Sequence, residues 1–181
     1  MFMTDEALML KVKQGELKYA SELFERYHKP LYNFLVKLTF DRDLGHDLTQ
    51  NVFERMIKYR SSFKEGNTFK SWLYQMARNV HADHYRKNKM LISDYVEVGD
   101  LTNKIAQVDE RMVKDEQEKL LYLSLYKLDR EQRELLILTR FQQLKYEEVA
   151  QVYGMTVSNV KVKIHRAIKE LRAKYLELEK I

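Results

Sequence analysis

Residues 145–181 read KYEEVAQVYGMTVSNVKVKIHRAIKELRAKYLELEKI, and within them Ala150, Gly154 and Val160 have the spacing of a helix-turn-helix. Ala150 is small where two helices would cross, Gly154 supplies a turn residue free to take a positive φ, and Val160 anchors the second helix. Val160, Ile164, Ala167, Ile168 and Leu171 then form that helix's buried stripe. Ser158, Asn159, Lys161, Val162, Lys163, His165 and Arg166 are left on its other sides. Such a mixture of short polar and cationic side chains suits base edges and phosphates in a major groove.

The rest of the chain points the same way. It has 181 residues, of which 45% are hydrophobic and 33% charged, with 5 Gly and 1 Pro. That is too apolar for disorder and too poor in breakers for a hairpin-rich sheet protein, so the expected fold is all-α. Residues 116–128 and 130–142 read as two further helices, with Asp129 and Gln132 at the spacing of a loose capping box. Leu31, Phe34, Leu35 and Leu38 make a helical stripe from about residue 30 to 40, with Pro30 just ahead of it. Leu48, Val52, Phe53, Met56 and Ile57 make another, with Asp41 and Asp43 near its N-terminus and Asp47, Gln50, Asn51 and Glu54 on its polar face.

Residues 61–69, SSFKEGNTF, break the periodicity and end near Thr68, a candidate N-cap. In the helix that follows, Trp72, Leu73, Met76, Ala77 and Val80 are the expected apolar face. Lys70, Arg78, His81, His84, Arg86, Lys87 and Lys89 crowd the remainder. Between Lys58 and Lys89 stand 8 basic and 2 acidic residues, interleaved with Phe63, Phe69, Tyr74 and Tyr85. Cations for phosphates beside rings for unpaired bases are the ingredients of a single-strand surface.

Charge divides the chain into three. Residues 1–90 carry 16 basic and 11 acidic groups, residues 91–118 carry 3 and 8, and residues 119–181 carry 13 and 8. The acidic middle lacks a sustained apolar stripe and reads as a linker that, fully extended, would span up to about 100 Å. Two small helical domains are therefore expected, 1–90 and 116–181, joined by an acidic linker at 91–115.

Several classes are excluded. With 0 Cys there is no disulfide frame and no thiolate chemistry. His81 and His84 share a helix face, but no further ligands at a matching spacing complete a metal site, so no metal and no other cofactor is expected. Phosphate-binding, dinucleotide and hydrolase motifs are missing and the carboxylates are dispersed, so no catalytic residues and no enzymatic activity are expected. No leader pattern and no apolar run of about 18 residues occurs, which points to a cytoplasmic protein without direct membrane insertion.

DLTQNVFERM at 47–56, FKSWLYQMARN at 69–79 and LDREQRELLILTRFQQLKYEEVAQVYGMTVSNVKVKIHRAIKELR in the C-terminal part together resemble the extracytoplasmic-function sigma factors, which keep the second and fourth conserved sigma regions. The resemblance implies a first domain that docks core RNA polymerase, on its clamp helices, through Asp47, Gln50, Asn51 and Glu54. It also implies capture of a flipped base of the minus-ten element by the 61–68 loop and the basic helix, through Ser61, Phe63, Lys64, Asn67, Arg78, Asn79, Arg86 and Lys87. Ser158, Asn159, Lys161, Val162, His165 and Arg166 would read minus-thirty-five promoter DNA while the second domain rests on the polymerase flap. Many relatives are held by an anti-sigma factor, so such a partner is a further implication. Departures at Val162 and His165 leave the promoter sequence open. Two other readings remain at this point: a stand-alone helix-turn-helix regulator, which would bind duplex without polymerase, and a helical adaptor, which the charge pattern disfavours.

Overall fold

The computed structural model describes residues 3–88 and 116–180, and the expected linker at 91–115 lies outside the described residues. Among them there are eight α-helices and no strand: α1 (Asp5–Lys13), α2 (Tyr19–Thr39), α3 (Arg42–Lys58), α4 (Phe69–Asn88), α5 (Glu116–Tyr126), α6 (Arg130–Leu136), α7 (Tyr146–Tyr153) and α8 (Val157–Glu179). The all-α expectation holds.

The first four helices enclose Leu8, Met9, Leu23, Leu31, Phe34, Leu35, Val52, Met56, Phe69 and Leu73. Asp41 caps α3 by accepting the Leu44 N–H at 2.9 Å, and Thr68 caps α4 by accepting the Ser71 N–H at 3.2 Å. One expectation needs correction: α2 starts at Tyr19, so Pro30 lies inside the helix and not ahead of it. The earlier residues Ala20 and Leu23 are buried in the same core, and their packing outweighs the one hydrogen bond that a proline cannot donate. Ile57, placed in the α3 stripe by spacing, instead stands exposed.

In the last four helices, Asp129 accepts the Gln132 N–H at 2.8 Å, which starts α6 as its spacing suggests. α6 runs on into a π-turn, Ile137–Phe141, which the periodicity did not reveal. α7 starts where the Glu148 carboxylate accepts the Lys145 N–H at 2.7 Å. It stops at Gly154, whose φ of +63° lets the Gly154 N–H reach the Gln151 carbonyl at 3.3 Å and the Met155 N–H reach the Ala150 carbonyl at 3.0 Å. These are the two bonds of a Schellman stop. Thr156 then caps α8 by accepting the Asn159 N–H at 3.2 Å. Val149, Val152, Val160, Ile164 and Ala167 fill the space beneath the turn.

The two halves share one continuous apolar core. Phe40, a non-glycine residue at φ +53° after α2, lays its ring edge-on against Tyr126 at 5.3 Å. The half-buried Arg133 guanidinium donates to the carbonyls of Leu125 and Leu128 (each 3.0 Å), Tyr126, and Leu38 at the end of α2 (3.3 Å). It thereby supplies donors to helix ends that lack them. Burial also lowers its affinity for a proton.

Candidate nucleic-acid interface

Three surfaces carry the residues singled out from sequence. On α3, Asp47, Gln50 and Glu54 are exposed along one face. Asn51 is half-buried beside them, its amide oxygen inaccessible and without a hydrogen-bond partner among the described residues. Spacing alone puts these four on one helix face, and the structure brings them together.

On α8, Ser158, Asn159, Lys161, Val162, His165 and Arg166 are all exposed. Val160, Ile164 and Ala167 face inward. Lys163, between them, is tied to Glu131 at 2.8 Å. The outward set forms a surface in which hydroxyl, amide, imidazole and guanidinium groups flank one exposed apolar side chain, Val162. That composition fits a groove presenting acceptors, donors and a thymine methyl.

The third surface differs from its expected form. Ser61, Lys64, Asn67, Asn79, Arg86 and Lys87 are exposed, as a DNA-contacting loop and helix need to be. Phe63 is a core residue, 1% exposed, with its ring edge-on to Trp72 at 5.4 Å and its carbonyl accepting the Lys13 ammonium at 2.6 Å. Phe69 and Tyr74 are buried as well, so of the four rings interleaved with the cations only Tyr85 is exposed. A phenylalanine in a polar loop gives no sequence sign of whether its ring faces out or plugs the core below.

Arg78 is the other departure. Its Nε donates to Oε2 of Glu134 in α6 at 2.8 Å, and its guanidinium lies 3.8 Å from the centre of the Tyr153 ring in α7. Tyr153 donates to the same carboxylate oxygen at 3.0 Å. Arg130 Nε stands 3.7 Å from Oε1, and the buried His81 ring nitrogen 3.6 Å from it. Around this centre Tyr74 donates to the Gln142 amide oxygen at 2.8 Å, Lys70 reaches the Gln142 carbonyl at 3.5 Å, and Ser71 donates to the Glu148 carbonyl at 3.3 Å. Glu134 and Tyr153 are the residues that sequence reading missed. Glu134 sits next to the buried run Leu135–Leu138, a placement that calls for a partner, but only the packed helices reveal which one.

The electrostatics of this junction follow from burial. Burial by itself would raise the Glu134 carboxyl, yet His81, Arg78 and the Tyr153 hydroxyl stabilise its anion more and hold it below the usual 4.5. Burial pushes the Tyr153 hydroxyl strongly up, so it remains a donor. Burial also opposes the charge on Arg78, but Tyr153 and Glu134 outweigh it and raise the group further. Because the folded Glu134 value is depressed, its stabilisation of the junction is fully present above the ordinary value of 4.5 and fades as pH falls through the folded value. Small-angle scattering on acidification below that range is therefore expected to show the chain expanding. An unchanged radius down to the loss of helix would place the junction's stability in apolar packing alone.

Among the described residues, no helix is long and apolar enough to cross a membrane. The pattern of Sigma-70 region 2 matches residues 23–90, and that of Sigma-70, region 4 matches residues 119–171. The sequence is 31% identical over 156 residues to the ECF RNA polymerase sigma factor SigM of Bacillus subtilis, covering 85% of this chain and 93% of that protein. It is 30% identical over 161 residues to SigX of the same organism, covering 86% and 82%. The fold is similar to that of CnrH, solved in complex with the cytosolic domain of CnrY, with a TM-score of 0.71 at 23% identity over 93% of this chain and 95% of that one.

Proposed function

The chain belongs to the extracytoplasmic-function subfamily of the sigma-70 factors, and from that membership we propose how its parts divide the work of a sigma factor that binds core RNA polymerase and directs promoter-specific initiation. Residues 1–90 dock the polymerase and hold the minus-ten strand, residues 91–115 link, and residues 116–181 read the minus-thirty-five duplex. Sigma factors are not enzymes, and we assign this chain no catalytic role; bond formation belongs to the polymerase.

The observation that carries the reading is the outward set on α8, six residues exposed on one helix over a Schellman-stopped turn. A reading helix presents such an edge to a groove. For the first domain, the polar α3 face and the exposed cations of the 61–68 loop and α4 support docking and strand contact respectively. Phe63 leaves the contact set and becomes the residue that fixes the loop from below.

Run-off transcription with bacterial core polymerase on a fragmented genomic library of the host tests the whole reading. Transcript starts sharing two upstream elements are expected only when the protein is added, and their absence, with no co-elution with core polymerase, would overturn it. Two substitutions test the division of labour. Arg166→Ala is expected to weaken upstream duplex binding by about 1–3 kcal/mol and leave polymerase affinity unchanged. Gln50→Ala is expected to weaken polymerase binding by about 1 kcal/mol or more and spare the duplex. Titration of each variant against both ligands reads the outcome, and loss of the same function by both would remove the assignment.

A further inference from the structure

We infer that α1 is the strut of the strand-capturing loop, and that Glu6 and Lys13 are positioning residues which hold this loop in the form that accepts a flipped base. The inference rests on the assignment of the 61–68 loop to the minus-ten strand. Glu6 and Lys13 lie two turns apart along one face of α1, about 10 Å from one another on its axis. The Lys13 ammonium donates to the Phe63 carbonyl at 2.6 Å, where the loop leaves the core. The Glu6 carboxylate accepts the Phe69 N–H at 2.9 Å, where the loop enters α4. That N–H is one of the donors a helix start leaves unpaired, and an anion beside it also suits the α4 dipole.

The strut is itself braced. Leu8, Met9 and Val12 are fully buried, and Asp5, next to Glu6, accepts the Arg26 guanidinium at 2.6 Å and the Tyr27 hydroxyl, both from α2. Between the two pins, Lys64, Glu65, Gly66 and Asn67 are exposed. They form a turn, with the Asn67 N–H on the Lys64 carbonyl at 3.3 Å and Gly66 at φ +91°. Both pins grip main chain, so they set the course of the loop whichever side chains it carries. Choice of base stays with the tip, and the readiness of the tip comes from α1. A loop freed from one pin spends only part of its time in the capturing form, and its affinity for the base falls by that fraction.

Holoenzyme assembled from the full chain and bacterial core polymerase tests this. It is titrated with the minus-ten non-template single strand of the mapped promoter, and with copies made abasic at one position at a time. The ratio of intact to abasic affinity at the most sensitive position measures base capture alone, since phosphate contacts are common to both strands. Lys13→Met and Glu6→Ala are each expected to lower that ratio about fivefold, as for a capturing form occupied about a fifth of the time. Lys13→Arg keeps a donor and Glu6→Gln an acceptor, and both are expected to stay within about twofold of wild type. Affinity for the abasic strand and for core polymerase is expected to stay within about twofold in all four.

An unchanged ratio in Lys13→Met or in Glu6→Ala removes that residue from the strut, and in both it overturns the inference. An equal loss of intact and abasic affinity in Lys13→Met, with a salt slope lowered by about 1, would make Lys13 a phosphate contact and not a pin. Weaker polymerase binding in both variants would reduce α1 to a part of the core. The underlying assignment fails separately, and the inference with it, if wild-type holoenzyme binds every abasic strand as tightly as the intact one.

Discussion

Gly45→Val is expected to unfold the N-terminal four helices and, with them, to abolish polymerase binding. α2 and α3 cross at this residue so closely that a Cβ placed on Gly45 would stand 2.4 Å from Val36 Cγ2 and 3.3 Å from the Val36 backbone nitrogen. Val36 cannot swing away, because it is β-branched and 2% exposed, with one favoured rotamer on a helix. Nor does α3 slide easily, since the Gly45 carbonyl accepts the Thr49 hydroxyl at 2.7 Å and Asp41 caps the helix one turn before. Overpacking of this kind costs about 1–3 kcal/mol for small additions, and valine adds further methyls and a stiff χ1. Gly45→Ala is the informative milder case. Alanine gains about 1 kcal/mol of helix propensity over glycine, so a net loss of about 1–2 kcal/mol measures the clash against that gain. Calorimetry would show a Tm lowered by about 4–16 °C. A Tm at or above wild type would mean that the α2–α3 crossing relaxes freely.

Gly45 also marks where sequence reading stops. In RDLGHDLTQ it looks like a weak point in a helix, and its use becomes visible only when α2 lies across it. What single-helix periodicity encodes was legible: the α3 face, the Thr68 cap, the Asp129 cap, and the helix-turn-helix with its Gly154 stop all depend on residues a few positions apart. Contacts between distant residues were not. Pro30 looked like a helix start because local rules place it there, and the core around Ala20 and Leu23 overrides them. Phe63 and Arg78 looked alike as exposed members of a cationic strand surface. One is buried by Trp72 and Phe69, and the other is held by a carboxylate 56 positions later. Net charge divides the chain into two basic stretches, but it could not tell that one acid of the second, Glu134, is spent on the first.

The second large effect separates burial from reading on one helix. Val160 and Val162 are two residues apart in α8, the first fully buried under the turn and the second 49% exposed. Val160→Asp places a carboxylate at a fully buried position of the apolar core. Such a charge costs about 3–5 kcal/mol, which is as much as a small helical domain has to lose. The C-terminal half is expected to unfold, with loss of its helical signal in circular dichroism and of duplex binding together. Val162→Asp makes the same chemical change on the outward face. Its effect on stability is expected to stay within about 0.5 kcal/mol, since a solvated carboxylate needs no partner. Duplex binding should nonetheless fall by about 1–3 kcal/mol, because an anion replaces an apolar contact beside phosphates. If Val162→Asp bound the duplex as wild type does, α8 would approach DNA by another face, and the residues beyond Arg166 would be the next to test.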